Sequence, residues 1–325
     1  MSDFINTVDL IGDDALVASL IDRSITEYAD NNITCIGESA FYGCSSLTSI
    51  DSPSATSIGL TAFSDCPNLT SVDFPSVTSI GSGAFNGCKK LTSINFPSLI
   101  SVDSNTFNGC KNLTSINFPA ATSIGESAFS NCSLRTLTST NLPLVTHINN
   151  TAFYQCAELT SVDIASVTSI GKSAFCFCSK LTSADFPSVT EINTSIFSGC
   201  SLLASANLPL VTSISENLFY NCSELTSIDF PLASSIDAGA FRNCTKLATL
   251  ILRKADSICS LNNSNALSST LISAGTGYIY VPSALIESYK VATNWSTYTN
   301  QFRALENYTV DGTTTGALDD SKVNA

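Results

Sequence analysis

The sequence predicts a repeat solenoid built from parallel β-strands and capped at both ends, and three observations carry this prediction. A Phe-x-x-Cys pair recurs with a step of 22 residues, broken once by a step of 24. Other apolar positions, such as Leu91, Ile94 and Leu99, recur in the same register. A unit of this length cannot bury its own apolar side, so successive units must stack around one core. About ten such units fill residues 39–261.

The repeated aromatic and thiol positions form the predicted core. A Phe and the Cys three residues after it share one side of a turn or short helix, so both should point inward. The 24-residue step is explained by two extra residues near 133–135, which move Leu137 and Ile148 two places along. Representative members of the predicted core are Phe63, Phe85, Phe107, Phe129, Phe153, Phe175, Cys66, Cys88 and Cys110.

Each unit also contains a short strand with small polar residues on its outer side. Ser93–Phe96 alternates polar and apolar residues, and Pro97 ends the strand because proline cannot donate to a ladder. A second extended piece, such as Val77–Ile80, follows in each unit. Outward positions of the first strand hold a Ser and, two residues later, an Asp or Asn. We name the latter positions the Asx row: Asp51, Asp73, Asn95, Asn117, Asn141, Asp163, Asp185, Asn207 and Asp229.

Three interpretations of the Asx row remain open. The simplest and strongest is that outward positions must be soluble and that repeat duplication copied one solution. Alternatively, a long polar surface could hydrogen-bond a repetitive ligand such as a glycan or an extended peptide. The weakest is that pairs such as Asp51 with Asp73, or Asp163 with Asp185, hold Ca²⁺ between layers. We predict no metal site and retain the row as the candidate binding surface.

The repeat unit resembles a known class. The pattern Leu-x-x-Ile-x-Phe-Pro-x-x-x-x-x-Ile-Gly-x-x-Ala-Phe-x-x-Cys is similar to the BspA-like leucine-rich repeats of bacterial surface proteins and protist surface antigens. The stretch from Tyr278 to Trp295 resembles the closing module of gut-bacterial and phage-encoded members. This resemblance implies a right-handed coil, a role in adhesion or recognition, and no catalytic residues.

The two ends are predicted to close the stack, because an end layer would otherwise expose apolar side chains and strand edges. Apolar spacing over 9–23 predicts an amphipathic helix, and Tyr278–Val281 followed by 284–292 predicts a strand and a helix. Trp295, Tyr298, Phe302 and Leu305 should pack this element onto the last unit. The predicted segments are 1–38 (N-terminal cap), 39–261 (repeats), 262–306 (C-terminal cap) and 307–325 (flexible polar tail).

Composition limits the partners. With 14 Lys and Arg against 27 Asp and Glu, the net charge of −13 argues against a nucleic acid held by its phosphates. No apolar run approaches the length of a membrane-spanning helix, and Met1–Phe4 does not begin a secretory signal. The 13 cysteines are expected to be buried thiols, with a disulfide ladder as the open alternative, since distance does not exclude it.

The residues offer little for catalysis. His147 is the only histidine and stands where other units have Ser, so an exposed substitution explains it. We therefore predict a non-enzymatic protein without cofactors that binds a protein or carbohydrate on a cell surface. The alternative is a structural spacer, for example in a phage tail or surface assembly. The resemblance favours an extracellular or phage-particle setting, whereas unpaired thiols suit a reducing interior.

Overall fold

The structure, a computed structural model, describes residues 15–16, 23–310 and 313–314. It divides into two compact units, 1–159 and 160–325. Each unit is a parallel β-solenoid, and the described residues form about 13 turns of about 22 residues. The predicted fold is confirmed. The turns exceed the ten predicted units because Glu27–Ala29 and Tyr278–Val281 continue the strand ladders beyond 39–261.

The first unit contains two series of strands. The long strands are Glu27–Ala29, Ser49–Asp51, Ser71–Asp73, Ser93–Asn95, Ser115–Asn117 and Thr136–Thr138. The short strands are Ala15–Leu16, Cys35–Ile36, Ser57–Ile58, Ser79–Ile80, Ser101–Val102, Ser123–Ile124 and His147–Ile148. Equivalent residues of neighbouring coils pair in parallel, as Ile50 does with Val72 and Ile36 with Ile58. One residue of each repeat thus stands directly beside its copy.

The second unit contains the same two kinds of strand and ends in a different module. Its long strands are Ser161–Asp163, Ser183–Asp185, Ser205–Asn207, Ser227–Phe230, Thr249–Leu252, Tyr278–Val281 and Phe302–Ala304. Its short strands are Ser169–Ile170, Glu191–Ile192, Ser213–Ile214, Ser235–Ile236 and Ser260–Leu261. The remaining elements are the 3₁₀ helices Ser283–Leu285, Trp295–Tyr298 and Leu305–Asn307, the α-helix Ile286–Val291, and the antiparallel pair Thr309–Val310 and Thr313–Thr314.

The Phe-x-x-Cys segment forms a turn in which two residues per coil adopt positive φ. One lies two places before the Phe and the other directly before the Cys, as with Gly83 (φ +64°) and Gly87 (φ +74°). A side chain at Gly87 would also collide with Asp65, since an added Cβ would lie 2.7 Å from its carboxylate oxygen. These bends let the backbone of Phe63 donate to Ala84 O at 2.7 Å, so the turns bond coil to coil as the strands do.

The core of the first unit is a stack of phenyl rings. Phe85 and Phe107 are fully buried, with ring centroids 5.5 Å apart and planes within 9° of parallel. Three of the unit's long strands are followed by a Phe that fits beside this stack, as Phe96 does at 6.1 Å from Phe85. In the second unit Phe197 and Phe219 stack in the same way at 5.6 Å. The predicted aromatic core is therefore confirmed.

The cysteines of the register are buried thiols that bond one coil to the next. The Sγ of Cys88 donates to Phe63 O at 3.2 Å, and that of Cys110 donates to Phe85 O at 3.2 Å. The second unit repeats this contact from Cys222 to Phe197 O at 3.2 Å. Each Cys thus fills an apolar site and also satisfies a buried carbonyl. All 13 cysteines lie within the described residues and none forms a disulfide, so a disulfide ladder is absent from this part of the chain.

We expect the thiol column to make stability fall in alkaline solution. Burial raises the pKa of Cys110 from 9.0 to about 12, so the unfolded chain loses this proton first as the pH rises. The corresponding stability is present below pH 9.0 and is lost between 9.0 and about 12. Urea unfolding should give a lower midpoint at about pH 10.5 than at about pH 8.

A single-site control isolates the contribution of one thiol. Cys110→Ser keeps a hydrogen-bond donor but removes one group that titrates in this range, so the fall in midpoint should be smaller. A midpoint that does not move between the two pH values would contradict a buried thiol column. Native thiols should also resist DTNB until the chain unfolds, because the thiolate is the reactive form.

The 24-residue step is accommodated differently from the prediction. Leu134 and Leu137 are both fully buried, and the strand runs over Thr136–Thr138. The extra residues lie after this strand, in the turn that contains Ser139 and Asn141, rather than near 133–135. Asn141 O still accepts from Phe118 N at 3.0 Å, so the backbone returns to register at this residue.

Side chains close the last short strand of the second unit, Ser260–Leu261. Cys259 N donates to Tyr289 Oη at 2.8 Å, and Trp295 Nε1 donates to Cys259 O at 2.7 Å. Asn294 Nδ2 donates to Leu261 O at 2.7 Å. These three groups take the place of a following strand. The predicted strand Tyr278–Val281 is present, and the predicted helix is a 3₁₀ turn followed by Ile286–Val291.

Two predicted segments fall largely outside the described residues. Of the helix predicted over 9–23, Ala15–Leu16 is described as a strand paired with Cys35–Ile36, and Arg23 lies in a turn. Of the tail predicted over 307–325, the described part includes the antiparallel pair of Thr309–Val310 with Thr313–Thr314.

Candidate functional site

In the first unit the long strands place the Asx row on the outer side of the sheet. Asp51 pairs in register with Asp73, and Asn95 with Asn117, while the intervening Ile50 is buried. Neighbouring members are therefore about 4.8 Å apart along the stack, the spacing of hydrogen-bonded strands. The alternation that predicted this orientation is confirmed for these four residues.

The row in the first unit combines free carboxylates with linked amides. Asp51 and Asp73 are exposed and form no ion pair within the described part of the chain. Asn117 Nδ2 donates to Asn95 Oδ1 at 2.8 Å, which fixes both amide groups. The two acids can therefore accept hydrogen bonds or attract a cation from solution, and the amides form an ordered continuation.

Two members of the predicted row differ from the others. Asn141 lies in the turn after its strand, and Thr138 occupies the third strand position, because the extra residues of this coil follow the strand. Thr138 Oγ1 donates to Asn141 Oδ1 at 2.8 Å. Asp229 is on its strand but forms a bidentate ion pair with Arg253, whose Nε donates to the carboxylate at 2.7 and 2.9 Å. The negative charge of Asp229 is therefore already balanced by the positive charge of Arg253.

In the second unit the remaining members lie in register. Asp163, Asp185 and Asn207 occupy equivalent positions on three consecutive strands. Asn207 Nδ2 donates to Asp185 Oδ1 at 2.8 Å, the same contact that joins the amides of the first unit. Asp163 and Asn207 are exposed and Asp185 is half-buried. This segment presents two carboxylates on adjacent coils.

The threonines beside the row are partly used for structure. Thr70 Oγ1 donates to Thr48 O at 2.9 Å, and Thr182 Oγ1 donates to Thr160 O at 2.9 Å. Their hydroxyls therefore supplement the backbone bonds between coils.

A ligand set for a metal ion is not assembled in the described part of the chain. Within those residues, groups of three or more His, Cys, Asp and Glu side chains close enough to share an ion are absent. His147 is exposed, and its Nδ1 shares a hydrogen bond of 2.8 Å with Thr146 Oγ1.

The repeat pattern matches a family model described as BspA type leucine rich repeat region, in six copies over residues 24–135 and 146–267. The chain belongs to the BspA-type leucine-rich repeat family. The gap between the two matched ranges contains the irregular turn after Thr136–Thr138. Proteins with these repeats are generally non-enzymatic binding scaffolds.

A solved structure supports the same fold for this BspA-type protein. A leucine-rich repeat protein from Bacteroides ovatus is 24% identical, with a TM-score of 0.58 over 87% of this chain and 84% of that one. A leucine rich cell surface protein from Faecalibacterium prausnitzii is 24% identical over 85% and 82% of the two chains, with a TM-score of 0.49. No curated protein is significantly similar in sequence. The helices described in the structure include none long and apolar enough to cross a membrane.

One feature of the BspA-type protein was not predicted. The ion pair of Asp229 with Arg253 joins residues 24 apart, outside the repeated register, and Arg253 has no counterpart in the preceding units. The signal available in the sequence was the loss of the repeat pattern after Leu250, where Ile251 replaces the Asp or Asn of earlier strands.

Proposed function

We propose that this chain is a non-enzymatic binding protein whose Asx row contacts a protein or glycan partner. The observation that carries the proposal is the exposed row of small acids and amides set at one-coil spacing on each unit. Such a row matches a ligand with its own short repeat, because each coil offers an equivalent contact. The scaffold role of the family agrees with this use, and the setting we propose is a cell surface or a phage particle.

The charge of the row determines the kind of partner. Asp51 and Asp73 stand side by side on strands about 4.8 Å apart, and neither forms an ion pair in the described residues. Like charges at this spacing repel, and a cationic or hydrogen-bond-donating partner would relieve the repulsion. Binding through this pair should therefore weaken with added salt.

An array of glycans and extracellular-matrix proteins, probed with the full chain, tests the proposal. For any partner found, Asp51→Asn combined with Asp73→Asn should lower the affinity at least about tenfold, because two charge-assisted contacts are lost. Glu287→Gln is the matched control, since Glu287 is an exposed acid on the α-helix, away from the strands. Equal affinity of the double variant and the wild type would refute a role for this pair.

A structural spacer is the second candidate, and the threonine rows favour it because their hydroxyls bond coil to coil. Deletion of one complete 22-residue unit, 89–110, distinguishes the two functions. A spacer would keep its partners and change only its reach, whereas a recognition surface would lose affinity.

A further inference from the structure

The outer side of the long strands changes character at the end of the second unit. Ser227, Thr249 and Tyr278 lie in register and give a row of three hydroxyl groups. The adjacent outward positions are Tyr280 and Arg303, which are also in register with each other. The end of this surface therefore carries aromatic rings, hydroxyls and a cation where the Asx row carries acids and amides.

The guanidinium of Arg303 is held in place without a carboxylate partner. It lies 4.2 Å from the ring centroid of Tyr278, and its Nη1 donates to Asn300 O at 2.9 Å and Phe302 O at 2.8 Å. The residue is exposed, and neither an ion pair nor an acceptor for its Nε or Nη2 exists among the described residues. By contrast, the guanidinium of Arg253 on the same surface is paired with the carboxylate of Asp229.

Such an arginine is prepared to bind an anion. Its orientation is set by the ring and the two carbonyls, so little side-chain entropy remains to be lost on binding. The free Nε and Nη2 groups form the edge of the guanidinium that takes a carboxylate with two parallel hydrogen bonds. The chain has a net charge of −13, so Arg303, held in place without a carboxylate partner among the described residues, is a local positive charge on an acidic protein.

We infer that Tyr278 and Arg303 form a binding site for a carboxylate-bearing saccharide, such as a uronic or sialic acid residue. The carboxylate pairs with Arg303, and the sugar hydroxyls bond to the Tyr278 phenol and to Thr249, which is in register with Tyr278 on the neighbouring strand. Tyr278 is 38% exposed and offers ring surface to the sugar. An acidic peptide fits less well, because its several charges would meet the negative field of the protein.

Titration of the full chain with glucuronic acid and N-acetylneuraminic acid, beside glucose and galactose, tests this site. We expect the acidic sugars to bind and the neutral sugars to bind at least about tenfold more weakly. Arg303→Gln should reduce acidic-sugar affinity at least about tenfold, and Arg303→Lys should recover part of it, since the charge returns without the two-pronged geometry. Arg242→Gln is the control, because Arg242 also lies over a tyrosine, 6.0 Å from the Tyr220 ring centroid.

A purely structural role for Arg303 predicts a different result. Because Arg303 also satisfies two backbone carbonyls, the thermal midpoint of each variant must be measured beside its affinity. Loss of binding by Arg303→Gln at unchanged midpoint supports the site. Equal binding of neutral and acidic sugars, no sugar binding at all, or tighter binding of a poly-glutamate peptide overturns it.

The inference rests on the proposed role as a binding protein but on different residues. Asp51→Asn and Asp73→Asn lie in the first unit and should leave acidic-sugar binding unchanged. If the sugar binds and these changes have no effect on any partner, the Asx proposal fails and the Arg303 site stands. If the Asx changes weaken a partner while Arg303 variants behave as wild type, the reverse holds.

Discussion

Replacing Phe107 by alanine should lower the free energy of unfolding by about 3–5 kcal/mol. The ring is fully buried between Phe85, at 5.5 Å, and Phe129, at 5.3 Å, so its loss leaves a cavity and removes two stacked contacts. Its other neighbours, Phe96 and Phe118, are packed beside the stack and cannot move far to fill the space. Urea unfolding followed by circular dichroism measures the change.

Two matched variants show whether burial causes the effect. Phe107→Leu keeps most of the apolar volume and should cost less than Phe107→Ala. Phe177→Ala removes the same side chain from a position that is 46% exposed, and we expect a loss below about 1 kcal/mol. If Phe107→Ala and Phe177→Ala cost equally little, the stacked rings do not form the core of the unit.

The period of the sequence predicted the stacked layers because every coil requires apolar residues at the same positions. Phe85, Phe107 and Phe129 are all buried because they occupy the same position in successive units. A wrong assignment of this position in one unit would conflict with the units on either side. The same logic placed Asp51 beside Asp73 and Asn95 beside Asn117. Periodicity determines which residues become neighbours, and alternation along the strand determines which side they face.

The prediction failed where one coil departs from the period. Two extra residues can be absorbed before or after a strand, and both alignments keep leucines at apolar positions. The structure buries Leu134 and Leu137 and moves the excess into the turn before Asn141, where side-chain and backbone groups can still find partners. Nothing in the local sequence favours one alignment over the other, because the two alignments differ in how Thr136–Thr138 pairs with a neighbouring strand.

The contacts that close the last short strand of the second unit could not be predicted from the repeat pattern either. Aromatic residues near Trp295 predicted packing, and Trp295 and Tyr298 are indeed buried. Their polar atoms were not assignable in advance, since the acceptor of the indole N–H depends on how the chain returns from Val281 to the last short strand. Long-range, single-copy contacts of this kind leave no periodic trace.

Those single-copy contacts make the closing segment the second place where one substitution should have a large effect. Trp295→Ala should lower the stability of the second unit by about 3–5 kcal/mol. The indole is fully buried, packs edge-on against Tyr289 at 5.6 Å and Phe302 at 5.9 Å, and donates to Cys259 O at 2.7 Å. Its removal opens a cavity and leaves a buried carbonyl without its donor, which adds to the cost.

Hydrogen exchange measured by mass spectrometry should locate this loss. Coils at the end of a repeat array open more readily than interior ones, so Trp295→Ala should raise exchange at Thr249–Leu252 and Ser260–Leu261 before it does so at Ser183–Asp185. Trp295→Phe keeps one aromatic ring but loses the N–H and part of the buried volume, so its loss should be smaller than that of Trp295→Ala. Val291→Ala, at a side chain 83% exposed on the adjacent helix, should change neither quantity. A uniform rise in exchange across the second unit would instead mean that Trp295 supports the whole unit rather than closing its end.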